Sequence, residues 1–62
     1  MDYSGMTVNE RLLVAGLAED FAAAARSRDR ERMVEILGAV DLSDQSGQIA
    51  SKILASPGFY GF

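Results

Sequence analysis

The sequence predicts an all-α fold, a small domain of three helices joined by short turns. Apolar residues recur at helical spacings, and no segment alternates apolar with polar residues as a half-buried strand would. The single proline, Pro57, lies near the C-terminus, where it ends the last helix and interrupts none. The 62 residues make one domain, near the lower size limit for a self-supporting core.

The first helix is predicted to be long. Residues 1–6 are expected to form a loose leader, because they contain Gly5. Thr7 and Glu10 then match the capping box, in which a hydroxyl and a carboxylate satisfy each other's backbone amides. From Val8 to about Ser27 there is no proline and one glycine. We therefore expect a helix of about 20 residues, roughly 30 Å long.

Two apolar surfaces run along this predicted helix. At 100° per residue, one broad arc forms the expected core face: Leu13, Val14, Leu17, Ala18, Phe21, Ala24 and Ala25. A second stripe lies nearly opposite and consists of Val8, Leu12 and Ala15. This stripe is either a contact patch for a partner or a surface that another part of the chain covers.

The second helix is predicted from Asp29, a good N-cap residue, to about Val40. Gly38 either ends this helix or is tolerated one turn before its end. Its apolar residues, with the charged ones on the other side, are Met33, Val34, Ile36, Leu37 and Val40. This is the clearest amphipathic segment in the sequence.

The third helix is predicted to begin at a cap formed by Ser43 or Asp44 and to run to Ala55 or Ser56. Pro57 ends it, because the residue before a proline is pushed out of the helical region. Its apolar arc consists of Ile49, Ala50, Ile53 and Leu54.

Helix lengths bear on the assembly of the domain. Helices 2 and 3 would be about 16 and 18 Å long, so neither covers the first helix alone. Either they pack along it in succession, or part of it is left for a second chain. The alanines at 22–25 fit both alternatives, since they fill space inside a monomer or let a second subunit's helix approach closely.

Composition narrows the range of functions. The chain has no cysteine and no histidine, so disulfides, thiolate chemistry and the usual transition-metal ligands are excluded. We expect no enzyme activity, no metal and no cofactor, because no phosphate-binding loop or nucleophile motif is present either. There is no membrane-length apolar run and no secretory signal pattern, which favours a cytoplasmic protein. A net charge of −3 argues against a nucleic-acid partner.

A DNA-binding regulator is nevertheless the alternative function. Helix 2, the turn and helix 3 have the layout of a helix-turn-helix, and Gln45 and Gln48 could contact base edges. Lys52 is the only cation of that recognition helix, too few for phosphate anchoring. The arginines within residues 26–32 could bind phosphate. The interspersed Asp29 and Glu31 favour instead a junction between two helices at which opposite charges alternate.

The C-terminal tail, residues 57–62, contains three of the five aromatic residues: Phe59, Tyr60 and Phe62. We expect it to fold back as a lid, with Phe59 and Tyr60 packed against helix 1 or helix 3 and at least one of them mostly buried. The alternative is an exposed recognition peptide that inserts into a partner.

The segments "NERL", "MVEIL" and "YGF" resemble a group of short, uncharacterised bacterial proteins common in alphaproteobacteria. The resemblance implies a bacterial cytoplasmic origin and no function. From the residues themselves we predict a non-enzymatic protein-interaction module that binds a partner protein or a second copy of itself as a homodimer. The candidate interface consists of Val8, Leu12, Ala15, Phe59, Tyr60 and Phe62.

Overall fold

Helices make up most of the computed structural model, which describes residues 2–62. Its four α-helices and two 3-10 helices are α1 (Val8–Ala15), α2 (Ala18–Arg26), α3 (Arg30–Ala39), the 3-10 helix Ser43–Gln45, α4 (Ser46–Ala55) and the 3-10 helix Pro57–Tyr60. No strand occurs within residues 2–62, so the prediction of an all-α fold is confirmed. Within residues 2–62 there are four α-helices rather than the three expected.

The single long helix predicted from Val8 to Ser27 is wrong, because the chain turns at Gly16. Gly16 has a φ of 73°, in the left-handed region that glycine adopts without steric cost. The amide of Leu17 donates to the carbonyl of Leu12 at 2.9 Å, and the amide of Gly16 donates to that of Leu13 at 3.1 Å. These two hydrogen bonds form a Schellman motif, which ends α1 and starts the chain in a new direction.

The turn at Gly16 also reverses which side of α1 is buried. Leu12, expected opposite the core face, is only 3% exposed, whereas Leu13 and Val14 are 70% and 48% exposed. The expected core face assumes one continuous helix, and the turn breaks that helical register. In α2 the expected face is confirmed, since Phe21, Ala24 and Ala25 are buried.

The central helix is α3, which packs against both α2 and α4. Asp29 caps it as predicted, with its carboxylate accepting the amide of Arg32 at 3.1 Å. The core around α3 contains eleven buried apolar side chains: Leu12, Phe21, Ala24, Ala25, Met33, Ile36, Leu37, Val40, Leu42, Ala50 and Ile53. Burial of each large side chain contributes about 1.5–3 kcal/mol, so this core is the main source of stability.

The start of α4 differs from the prediction that Ser43 or Asp44 caps it. Residues Ser43–Gln45 form a 3-10 helix that leads directly into α4, and no side chain caps the α-helix. The hydroxyl of Ser46 instead donates to the carbonyl of Ser43 at 2.9 Å. The predicted end is confirmed, since α4 stops at Ala55, two residues before Pro57.

Residues 2–6, the described part of the segment expected to be a loose leader, contain a turn, and Met1 lies outside the described residues. The amide of Met6 donates to the carbonyl of Tyr3 at 3.1 Å. The Tyr3 side chain is partly buried against the core, and the guanidinium of Arg11 lies 5.9 Å from its ring centre. This cation–π contact fastens the segment to α1.

Candidate functional site: an apolar groove walled by the C-terminal tail

A groove of about 460 Å³ lies between the start of α1, one face of α4 and the C-terminal tail. It is open to solvent on one side, and most of its lining is apolar. The lining residues are Thr7, Val8, Asn9, Phe21, Ile49, Lys52, Ile53, Phe59, Tyr60 and Phe62. Four of the protein's five aromatic residues are among them.

The tail forms one wall of the groove because it turns back sharply. After the 3-10 helix Pro57–Tyr60, Gly61 adopts a φ of 88°, and the amide of Phe62 donates to the carbonyl of Pro57 at 2.9 Å. This turn brings the Phe62 ring to 5.9 Å from the ring of Phe21, measured between centroids, in an edge-to-face arrangement. Such a pair is favourable beyond the area that it buries.

The other two tail aromatics project outward. Phe59 is 84% exposed and Tyr60 is 43% exposed, so the prediction that at least one of them is mostly buried is wrong. Their rings contact each other edge to face at 5.1 Å. The physical reason is the tight turn, which directs Phe62 rather than its neighbours onto Phe21. The tail is thus anchored by one aromatic and presents two others.

The structure brings together four of the six candidate interface residues: Val8, Phe59, Tyr60 and Phe62 all line the groove. Leu12 does not belong there, because it is buried in the core and unavailable to a partner. Ala15 packs partly buried against the core and does not line the groove.

Sequence reasoning missed the contribution of α4 to this surface. Ile49, Ile53 and Lys52 line the groove, whereas the sequence pattern places the two isoleucines on the apolar arc of the third helix and makes Lys52 the only cation of a recognition helix. Their spacing of three and four residues places them on neighbouring positions of one helix face. That spacing was a usable signal, but the sequence did not indicate that the tail would lie beside it.

Lys52 is the one charged side chain among the residues that line the groove. Lys52 is exposed, and no ion pair of its amino group occurs within residues 2–62. At the start of α1, the carboxylate of Glu10 points away into the capping box, where it accepts the amide of Thr7 at 2.9 Å. The hydrogen bonds from the Thr7 backbone and side chain lower the pKa of Glu10 below its ordinary value of 4.5. The capping box predicted from the sequence is confirmed.

The arginines of residues 26–32 are engaged at the junctions between helices. Arg28 donates through Nη1 to the carbonyl of Leu54 at 3.2 Å, and Arg30 donates through Nη2 to that of Gly47 at 3.2 Å. Both contacts tie the α2–α3 junction to α4. Arg32 forms an ion pair with Glu35, and its Nη2 lies 4.0 Å from Oδ2 of Asp20. Both pairs are largely exposed to solvent and therefore weak.

A shallower recess of about 280 Å³ lies between α2 and α3 beside Arg32. Its lining combines polar residues with two alanines: Asp20, Ala23, Ala24, Ser27, Asp29 and Arg32. Asp29 is already occupied as the cap of α3. The recess is also smaller than the groove, so it offers less contact surface.

Within residues 2–62, no group of three or more His, Cys, Asp or Glu side chains is placed to hold a metal ion. None of the helices in that range combines the length and the apolar character that crossing a membrane requires. No protein-family model matches the chain, and no curated protein or solved structure matches it.

Proposed function

We propose that this protein is a non-enzymatic protein-interaction module of a bacterial cytoplasm that docks on a partner protein or self-associates. The observation that carries the proposal is that the Phe59 side chain is 84% exposed on the rim of an apolar groove. Single exposed apolar residues are normal, but an exposed aromatic pair beside a groove forms a contiguous apolar surface.

Binding at this surface is energetically reasonable. Each large aromatic side chain can bury about 150–250 Å², and the rings of Phe59 and Tyr60 contact each other edge to face. Tyr60 also presents a hydroxyl for hydrogen bonding, and tyrosine is enriched among residues that dominate interface energies.

Self-association is tested by sedimentation equilibrium over a hundredfold range of protein concentration. If a second copy covers the groove, the mean mass rises with concentration, and the variant Phe59→Ser stays monomeric. Leu13→Ser is the matched control, because Leu13 is 70% exposed but does not line the groove. A protein that remains a monomer throughout, and with which no partner is recovered in a pull-down, would contradict the proposal.

The competing hypothesis is a small helix-turn-helix DNA-binding regulator, in which α4 would be the recognition helix. It predicts a gel shift at low salt that weakens steeply as salt rises, because phosphate contacts release counterions. No shift at tens of micromolar protein would retire it. In the structure Arg28 and Arg30 donate to the backbone of α4, which lowers the number of arginines available for phosphate.

A further inference from the structure

The C-terminal tail, residues 57–62, has few attachments to the rest of the protein. None of its residues is buried, and only Pro57 and Phe62 are partly buried. Its hydrogen bonds stay local, since the amide of Phe62 donates to Pro57 and that of Phe59 donates to Ser56. Within residues 2–62, no hydrogen bond or ion pair joins the tail to the chain before Ser56.

A single side chain of the tail packs against the core. The partly buried ring of Phe62 meets Phe21 edge to face, with 5.9 Å between the ring centroids. Phe59 and Tyr60 add little to this attachment, because both are exposed and their rings contact each other. The core itself depends on eleven buried apolar side chains. Loss of one ring contact therefore costs much less free energy than unfolding of the core, so the tail opens before the helices do.

The chain has a hinge between α4 and the tail. The end of α4 is fastened, since Nη1 of Arg28 donates to the carbonyl of Leu54 at 3.2 Å. Ser56 follows with a φ of −146° and a ψ of 65°, outside the helical region, and it is exposed. Gly58 is exposed as well, and even an added methyl there would meet no atom within 4 Å. The tail can therefore swing about residues 56–58 without disturbing α4.

The position of the tail decides whether the groove exists. Phe59, Tyr60 and Phe62 belong to the lining of the groove and form one of its walls. Phe21, which Phe62 contacts, is only 1% exposed. When Phe62 leaves Phe21, the groove loses that wall and the Phe21 ring becomes accessible to solvent.

We propose that the tail is a latch, which detaches while α1–α4 stay folded, and that the groove exists only while Phe62 is docked on Phe21. We expect the detached state to hold about 1% of the molecules, a usual population for a minor conformation. A partner that binds the groove binds only the docked state, so it holds the latch closed. The detachment itself concerns the fold and does not depend on the proposed function.

Native-state hydrogen exchange, followed by NMR on the whole protein, tests the latch. The amides of Gly61 and Phe62 donate hydrogen bonds inside the tail, and they exchange once it detaches, because so short a segment does not keep its turn alone. We expect these two amides to be protected about a hundredfold, with little dependence on urea below the unfolding transition, because detachment exposes little new surface. The amides of α3 should be protected far more, and their exchange should accelerate as urea is raised.

Two variants connect the protection to the Phe62 ring. Phe62→Ala should bring the exchange of the Gly61 amide close to that of an unstructured peptide, while the amides of α3 stay protected. Phe59→Ala is the matched control, because it removes a ring of the same tail that is 84% exposed. It should leave the protection of the Gly61 amide within about twofold of the wild type. The measurement on the wild type decides the question by itself if Phe62→Ala does not fold.

Two results would overturn the latch. If the tail amides exchange at the same rate as those of α3, with the same dependence on urea, then the tail opens only when the whole fold does. If the amides of Gly61 and Phe62 are unprotected in the wild type, then the tail is not docked. Neither result by itself contradicts an interaction module, which sedimentation and the pull-down test separately.

Discussion

The guanidinium of Arg11 donates through Nη1 to the carbonyl oxygen of Val40 at 3.0 Å. Val40 follows the last residue of α3, where helical carbonyls lack partners within the helix. The same side chain donates through Nε to the carbonyl of Met6 at 3.1 Å. Arg11 therefore joins the segment before α1, α1 itself and the end of α3.

Replacement of Arg11 by methionine should destabilise the fold by about 1–3 kcal/mol, because it leaves a partly buried carbonyl without its charged donor. Urea denaturation followed by circular dichroism measures the change in unfolding free energy. Arg26→Met is the control, since Arg26 is exposed and its side chain donates no hydrogen bond within residues 2–62. Equal losses in the two variants would show that the contact with Val40 contributes little.

Gly16 and Asp41 both have a positive φ, so substitutions at the two positions should change the stability of the protein in opposite directions. Gly16→Ala should destabilise the protein by about 1–2 kcal/mol, because φ is 73° at that position. Asp41 has a φ of 65°, so Asp41→Gly should stabilise it by about 1 kcal/mol. Gly58→Ala is the control: its new methyl would meet no atom within 4 Å, and its φ is not positive. A Gly16→Ala variant as stable as Gly58→Ala would contradict the turn.

The tail aromatics should differ in their effect on stability. Phe62→Ala removes a partly buried ring that contacts Phe21, and we expect a loss of roughly 2–3 kcal/mol, below the usual range for a fully buried phenylalanine. Phe59→Ala should change stability by less than about 0.5 kcal/mol, because the side chain is 84% exposed. Thermal melts of the two variants decide this. A larger loss for Phe59→Ala would mean that the tail packs differently in solution.

The capping box should make stability depend on pH. Because hydrogen bonds from Thr7 hold the pKa of Glu10 below 4.5 in the folded protein, the unfolded chain binds the proton more readily. The contribution of the carboxylate is therefore present above pH 4.5 and lost as the pH falls through the lower folded-state pKa. We expect the stability advantage of the wild type over Glu10→Gln to shrink on acidification.

Chemical denaturation of both proteins between pH 7 and pH 2.5 measures this difference. Asp2 also has a lowered pKa, through its hydrogen bonds with Ser4, but it titrates in both proteins and cancels in the comparison. A stability difference that stays constant over the whole range would contradict an ionised Glu10 in the capping box.

Much of the helical structure could be predicted from local sequence. The caps at Thr7 and Asp29 and the end of α4 before Pro57 depend on residues within one turn of each other, so they are visible in the sequence. The buried face of α3 follows from spacing alone, because a central helix buries its apolar arc whichever neighbours it meets.

The break at Gly16 was harder to predict. A glycine inside a helix costs about 1 kcal/mol, and the same residue ends a helix without steric cost. The sequence did contain a signal, since leucines at 12 and 17 flank Gly16 in the positions where a Schellman motif places its apolar pair. Whether Gly16 continues the helix or ends it depends on how α1 packs. The prediction of a continuous helix is wrong, and it therefore places Leu13 in the core and Leu12 on the surface, whereas the structure buries Leu12 and exposes Leu13.

The candidate site likewise depends partly on local sequence and partly on tertiary packing. The sequence by itself determined that the protein is all-α, where most helices lie, and that an aromatic tail follows α4. Only the tertiary structure decided that Phe62 reaches Phe21 while Phe59 stays in solvent, and that Lys52 lies in the resulting groove. Phe21 and Phe62 are 41 residues apart in the chain. Local propensity specifies backbone conformation, whereas a contact over that distance depends on how every intervening helix packs.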